Sequence, residues 1–151
     1  ERVLTLEDTA ELKVAVPNHV GLEASEPDEI DIRRLVKLSL RFRPDRIVVG
    51  EVRGAEAFDL IDAMNTGHSG GGCTLHADSA LLALYRLENM VRMSPNASNL
   101  PLPALRQLVA QTFHLVIYCS RLGGVRRPVE VGVVRGLRGD AYDMHIIYRA
   151  H

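Results

Sequence analysis

The stretch RPDRIVVGEVRGAEAFDLIDAMNTGHSGGGCTLHAD, Arg43 to Asp78, decides the fold. It opens on Arg46-Ile47-Val48-Val49-Gly50-Glu51, a short β-branched apolar run that stops at a glycine and an acid. Such a run reads as a fully buried strand of a parallel sheet. An acid at the C-terminal end of that strand stands where open α/β sheets bind their ligands. Phosphoryl-transfer sites place a carboxylate there to hold Mg2+ or to orient the attacking water. Gly54 to Asn65 then carries Ala57, Phe58, Ile61 and Met64 at helical spacing, which predicts a helix packed back on the sheet. Thr66 to Gly72 is a glycine-rich turn, and Cys73-Thr74-Leu75-His76 reads as a second short strand ending in a histidine. Strand with acid, helix, glycine turn and strand with histidine together make the plan of a nucleotide-hydrolysing core.

Toward the N-terminus, Arg2-Val3-Leu4-Thr5-Leu6 is a further short strand, running directly into Glu7-Asp8. Its acid belongs on the same sheet edge as Glu51, so the two carboxylates can divide the work. One serves Mg2+ or its water shell and the other acts as general base. The structural alternative is that Asp8 or Thr9 caps a turn. Leu12 to Ser25 reads as a β-hairpin about Pro17-Asn18, and Asp31 is placed to cap a helix. Ile32, Leu35, Val36 and Ser39 share that helix's inner face, with Leu40 beside them. Arg33, Arg34, Lys37, Arg41, Arg43 and Arg46 cover its other face and exit. Without interleaved aromatics this reads as a solvated face in preference to a nucleic-acid or phosphate patch.

Toward the C-terminus, Asp78 or Ser79 caps a helix bearing Ala80, Leu84, Leu87 and Val91 on one face. A loop follows, then a helix behind Pro101 and Pro103 with Leu105, Leu108, Val109 and Thr112 inward. His114 to Cys119 reads as another central strand. Arg127 to Val134 and Ala141 to Tyr148 alternate and form an antiparallel pair added to the end of the sheet, with turns at Gly123-Gly124 and from Arg135-Gly136 to Gly139-Asp140. The expected architecture is three-layer α/β with a mostly parallel sheet and this C-terminal antiparallel addition.

At 151 residues, 46% hydrophobic and 25% charged, the chain is one ordinary globular domain's worth. A net charge of -1 gives no whole-chain attraction to nucleic acid or an anionic membrane. No apolar run approaches the ~20 residues that span a bilayer. The chain begins without a methionine, on what reads as the approach to a core strand, and is taken as a fragment. Cys73 and Cys119 lie in unrelated apolar segments and read as buried free thiols. The spacing of His68, Cys73, His76 and Asp78 invites a zinc site. Against it, the glycines between them supply no fixed face, and a strand turns Cys73 and His76 to opposite sides.

GEVRGAEA followed by NTGHSGG and TLHA resembles the hexameric traffic ATPases of bacterial type II and type IV secretion, most of all the branch serving conjugal transfer and tight-adherence pili. In that family the segment at 46–51 corresponds to an atypical Walker B motif, 66–78 to the His box, and 4–12, LTLEDTAEL, to an acidic Asp box. The resemblance covers roughly Arg2 to Arg121, with the motifs in the family's order. It implies a RecA-like P-loop NTPase fold, here incomplete, over 1–151. The motif G-x-x-x-x-G-K-[ST], which forms the phosphate-binding loop, is absent from these residues.

By the same resemblance, Glu51 organises Mg2+ through water, Glu7 acts as base and His76 senses the γ-phosphate. Asp8, Gly50 and His68 join the ATP site. An arginine reaches across a subunit boundary, with Arg41, Arg43 and Arg53 as its candidates. The implied protein is a hexameric, cytoplasmic motor at the inner membrane, working on secretion or pilus platform proteins and not on nucleic acid directly. Two rivals stand beside it, a RecA-like nucleic-acid motor and a non-catalytic interaction module.

Overall fold

All five residues of the first strand, β1 (Val3–Glu7), are buried, as an apolar strand covered on both faces must be. A computed structural model describes residues 1–68 and 70–150. Ser69, within the predicted glycine turn, lies outside the described residues. β1 pairs in parallel on both sides, with β2 (His19–Glu23) and with β3 (Arg46–Val49). β3 pairs in parallel with the two-residue β4 (Gly72–Cys73), which gives the order β2-β1-β3-β4.

The expected hairpin over Leu12 to Ser25 does not form. Residues 10–16 carry no strand, and β2 finds its partner in β1, running parallel to it. Pro17 has no N–H for a ladder, and the chain before it is largely exposed.

Helix α1 (Ile32–Ser39) starts where Asp31 predicts, the Asp31 carboxylate accepting the Arg34 N–H at 2.7 Å. Ile32, Leu35, Val36 and Ser39 form its buried face against β1 and β3. Helix α2 (Glu56–Asn65) packs on α1. The contact is pinned by Asp59, whose buried carboxylate receives Arg33 at 2.6 Å and Lys37 at 3.5 Å. These elements, with residues 90–98, make one compact unit.

The second unit comprises residues 76–89 and 99–151. Helix α3 (Ala80–Arg92) is capped by Ser79, whose hydroxyl accepts the Leu82 N–H at 3.1 Å. Glu130, fifty residues on, takes the Ala80 N–H at 3.1 Å. Helix α4 (Leu102–Thr112) packs against β6 (Val125–Arg138). A buried cluster ties α3, α4 and β7 (Ala141–Arg149) together. Glu88 receives Arg106 in two bonds of 2.8 and 3.0 Å and the Tyr142 hydroxyl at 3.1 Å, and Tyr85 meets Tyr142 edge-on.

His114 to Cys119 is not a central strand of the parallel sheet. It falls in β5 (Leu115–Leu122), on the edge of a separate antiparallel sheet, β5-β6-β7. Exposure alternates along β5, with Leu115 52% and Ile117 53% exposed, because one face of this sheet is open. The Gly123-Gly124 turn makes the hairpin, both glycines taking the left-handed φ that a two-residue turn of this kind demands. Arg135-Gly136 is no turn either. β6 passes through it with a register shift and turns only at Gly139-Asp140. Cys119, expected to be buried, is exposed on β5, while Cys73 is half-buried; both are free thiols.

Candidate active site

β1 and β3 run in register, Leu6 opposite Val49, so Glu7 and Gly50-Glu51 leave the sheet at the same end. Glu7 stays buried there, and its Oε1 accepts the backbone N–H of Glu11 and of Leu12, each at 2.9 Å. The turn after β1 is therefore closed by Glu7's own side chain, a role sequence reasoning considered for Asp8 or Thr9. Gly50 donates its N–H to the Leu6 carbonyl at 2.8 Å and accepts the Thr74 hydroxyl on its own carbonyl. Its bare α-carbon faces the Glu7 side chain.

Glu51 accepts Arg53 Nη2 at 2.6 Å on Oε2, and the other arm of the same guanidinium reaches Asp8 Oδ2 at 3.4 Å. Arg53 thus spans the acids that follow β1 and β3. Its hydrogen bond to Glu51 is the chief cause of a guanidinium pKa above the ordinary value. Glu56, not singled out in the sequence, holds this turn. Its Oε1 accepts the N–H of Arg53 at 2.5 Å and of Gly54 at 2.7 Å. An acid in the first turn of a helix, three residues beyond the donor it caps, is the spacing that signals it. Val52 is buried and donates to the Thr74 carbonyl at 2.9 Å, so the turn is anchored from both sides.

The glycine turn has close steric limits. Arg46 Nη1 donates to the Gly70 carbonyl at 2.9 Å, and Gly71 lies against the backbone of Ile47. His68 Nδ1 stands 3.2 Å from the Ala63 carbonyl, at the end of α2. Burial pushes the Cys73 thiol up to about 12. His76 does not end a strand. Pairing with β3 stops at Cys73, and His76 is an exposed residue of the second unit.

Arg41 lies exposed in a short 3-10 turn, Leu40–Phe42. Arg43 follows it in the left-handed region, φ 51, and is exposed as well. Of the three arginines, Arg53 alone is brought to the acids of this chain. Among the described residues, no group of three or more His, Cys, Asp and Glu converges to hold a metal ion.

A parallel sheet with paired acids at its C-terminal edge, followed by an antiparallel sheet, has close relatives. The family profile described as "Type II/IV secretion system protein" matches residues 1–125. The chain belongs to that family. The conjugal transfer protein TrbB of Rhizobium radiobacter is 41% identical over 142 residues, which are 94% of this chain and 42% of TrbB. The type IV secretion system protein PtlH of Bordetella pertussis is 40% identical over 146 residues, 91% of this chain and 43% of PtlH. The crystal structure of the VirB11 ATPase from the Brucella suis type IV secretion system, in complex with sulphate, superposes with a TM-score of 0.80 at 33% identity. That match covers 87% of this chain and 40% of VirB11. The fold of this secretion-family chain is accordingly α/β and RecA-like. The chain spans about two fifths of the length of these relatives.

Proposed function

We propose that the protein to which this chain belongs is an ATP-hydrolysing motor subunit that energises type IV or type II secretion, conjugal transfer or pilus assembly. The observation that carries the reading is the emergence of Glu7 and Glu51 side by side from neighbouring parallel strands, in a chain 41% identical to a conjugal transfer protein. The Asp box, Walker B and His box assignments at 4–12, 46–51 and 66–78 are part of the same proposal.

Glu51 and Asp8 present carboxylate oxygens, a donor set suited to Mg2+, which keeps most of its waters and takes one or two carboxylates plus substrate phosphates. Mg2+ held there would supply charge neutralisation for the transferred phosphoryl group, and Glu51 would hold its water shell. Glu7 acts as base through Oε2, since Oε1 is occupied by the Glu11 and Leu12 amides. His76, beyond the Gly70–Gly72 turn, hydrogen-bonds the γ-phosphate and loses that partner on hydrolysis. Gly50 and His68 shape the ATP site, Gly50 by leaving room for the Glu7 side chain and His68 by its contact with the end of α2. Arg41 or Arg43 supplies the arginine that acts on the neighbouring subunit of a hexameric ring. The partners are inner-membrane secretion or pilus platform proteins, met from the cytoplasmic side. Among the described residues no helix is long and apolar enough to cross a membrane.

Positioning and charge stabilisation supply most of the catalysis in this chemistry, and the loop that cradles the phosphates is not among these 151 residues. This chain alone therefore hydrolyses ATP poorly or not at all. In the longer protein, Glu7→Gln and Glu51→Gln each lower ATP turnover on the order of 10²-fold with the fold intact. A full-rate Glu51→Gln enzyme would remove Glu51 from the catalytic role, and loss of folding in place of turnover would favour a capping role for these acids over a catalytic one.

A further inference from the structure

Arg53 is the best-placed cation in the candidate site, and it is spent within its own chain. Its backbone is fixed by Glu56 and by the Val52–Thr74 bond, so only the long side chain is free to move. That side chain is 67% exposed, yet its two arms lie 2.6 Å from Glu51 and 3.4 Å from Asp8. An ion pair with so exposed a partner is weak and readily exchanged. A guanidinium bonded to a carboxylate oxygen also occupies the lone pairs that a hydrated dication needs.

We propose that Arg53 is a cis positioning residue, a latch that holds Glu51 and Asp8 together until a divalent cation displaces it. The proposal rests on the reading of Glu51 as the magnesium-organising acid. It gives Arg53 a task inside its own subunit, distinct from that of an arginine reaching into a neighbour. A lysine in its place has a single ammonium and cannot bridge two carboxylates as a planar fork does.

The test is Mn2+ binding to the full chain, followed by the paramagnetic resonance signal of the free ion and without nucleotide. Arg53→Gln removes the competing charge and should tighten Mn2+ binding about three- to tenfold. Arg53→Lys should fall between it and the wild type. Glu51→Gln should abolish the binding in either background. Circular dichroism should show α2 intact in all of these, because Glu56 caps the turn through backbone N–H groups. Binding by Arg53→Gln equal to or weaker than wild type, with Glu51→Gln still abolishing it, would overturn the latch and leave the proposed function standing. Mn2+ binding indifferent to Glu51→Gln would overturn both.

Discussion

The Cγ of Glu7 lies 2.8 Å from where a β-carbon on Gly50 would sit. No ordinary side-chain contact is so short, and Glu7 has no room to retreat. Its residue is buried and its carboxylate is tied to two backbone amides. The glycine before the second acid therefore exists to let the first acid pass.

Gly50→Ala should destabilise the fold by about 1–3 kcal/mol, the range for a forced fit in a packed interior. Denaturant unfolding measures it. A loss below a few tenths of a kcal/mol would show that Glu7 can swing aside unaided.

Glu7→Ala should free the segment after β1. The Glu11 and Leu12 N–H groups lose their acceptor, and both residues are exposed, so water takes its place. The cost in stability is about 1 kcal/mol. The sharper readout is amide exchange, in which Glu11 and Leu12 become fast in Glu7→Ala and stay slow in Glu7→Gln, which keeps a carbonyl oxygen.

Gly71 and Gly72 are neighbours with opposite tolerance. A β-carbon on Gly71 would meet the Ile47 carbonyl oxygen at 2.3 Å, whereas one on Gly72 meets nothing within 4 Å. The Ile47 oxygen is backbone of β3 and cannot yield. Gly71→Ala should cost about 2 kcal/mol or more, and Gly72→Ala should lie within about 0.5 kcal/mol of wild type. Equal melting temperatures for the two variants would contradict this placement of the turn.

Stability should decline in alkali. Burial raises the Cys73 thiol from 9.0 to about 12 and pushes the Tyr142 phenol well above its ordinary value. Over that interval the folded chain binds more protons than the unfolded one, so unfolding free energy falls as pH rises. Below pH ~8 both groups are protonated in either state and contribute no slope. Between pH ~8 and ~11 the decline from Cys73 should be on the order of 2–3 kcal/mol. Urea titrations at stepped pH should show it, flatter in Cys73→Ala and flatter again when Tyr142→Phe is added. An unaltered slope in the double variant would exclude both groups as its source.

β1, β3, α1 and α2 were legible in the sequence because each is decided by a local period or a short β-branched run. The ends of β1 and β3 carried the paired acids with them. β5 misled for the same reason. His114 to Cys119 is a nearly continuous apolar run, but its exposure is set by a hairpin partner and an open sheet face, neither of which marks the residues themselves. The segment after β1 turns on a carboxylate reaching amides four and five residues ahead, and no hydropathy pattern encodes that bond. Arg53 was visible as an arginine beside an acid. Its second contact, to Asp8, lies 45 residues away in sequence and exists only once β1 and β3 are neighbours.

The parallel pairing of β1 also bears on how the chain is made. A hairpin can zip from its turn as it leaves the ribosome, but β1 has no sequence-adjacent antiparallel partner. Its central mate, Arg46–Val49, follows some forty residues later. At ~5–20 residues per second, Val-Leu-Thr-Leu waits roughly 2–9 s for the strand that will cover it. During that interval β1 has β2 alone to pair with, so one edge of a strand that is wholly interior in the finished protein stays open and sticky on a nascent chain, and the order of synthesis becomes part of what the fold must survive.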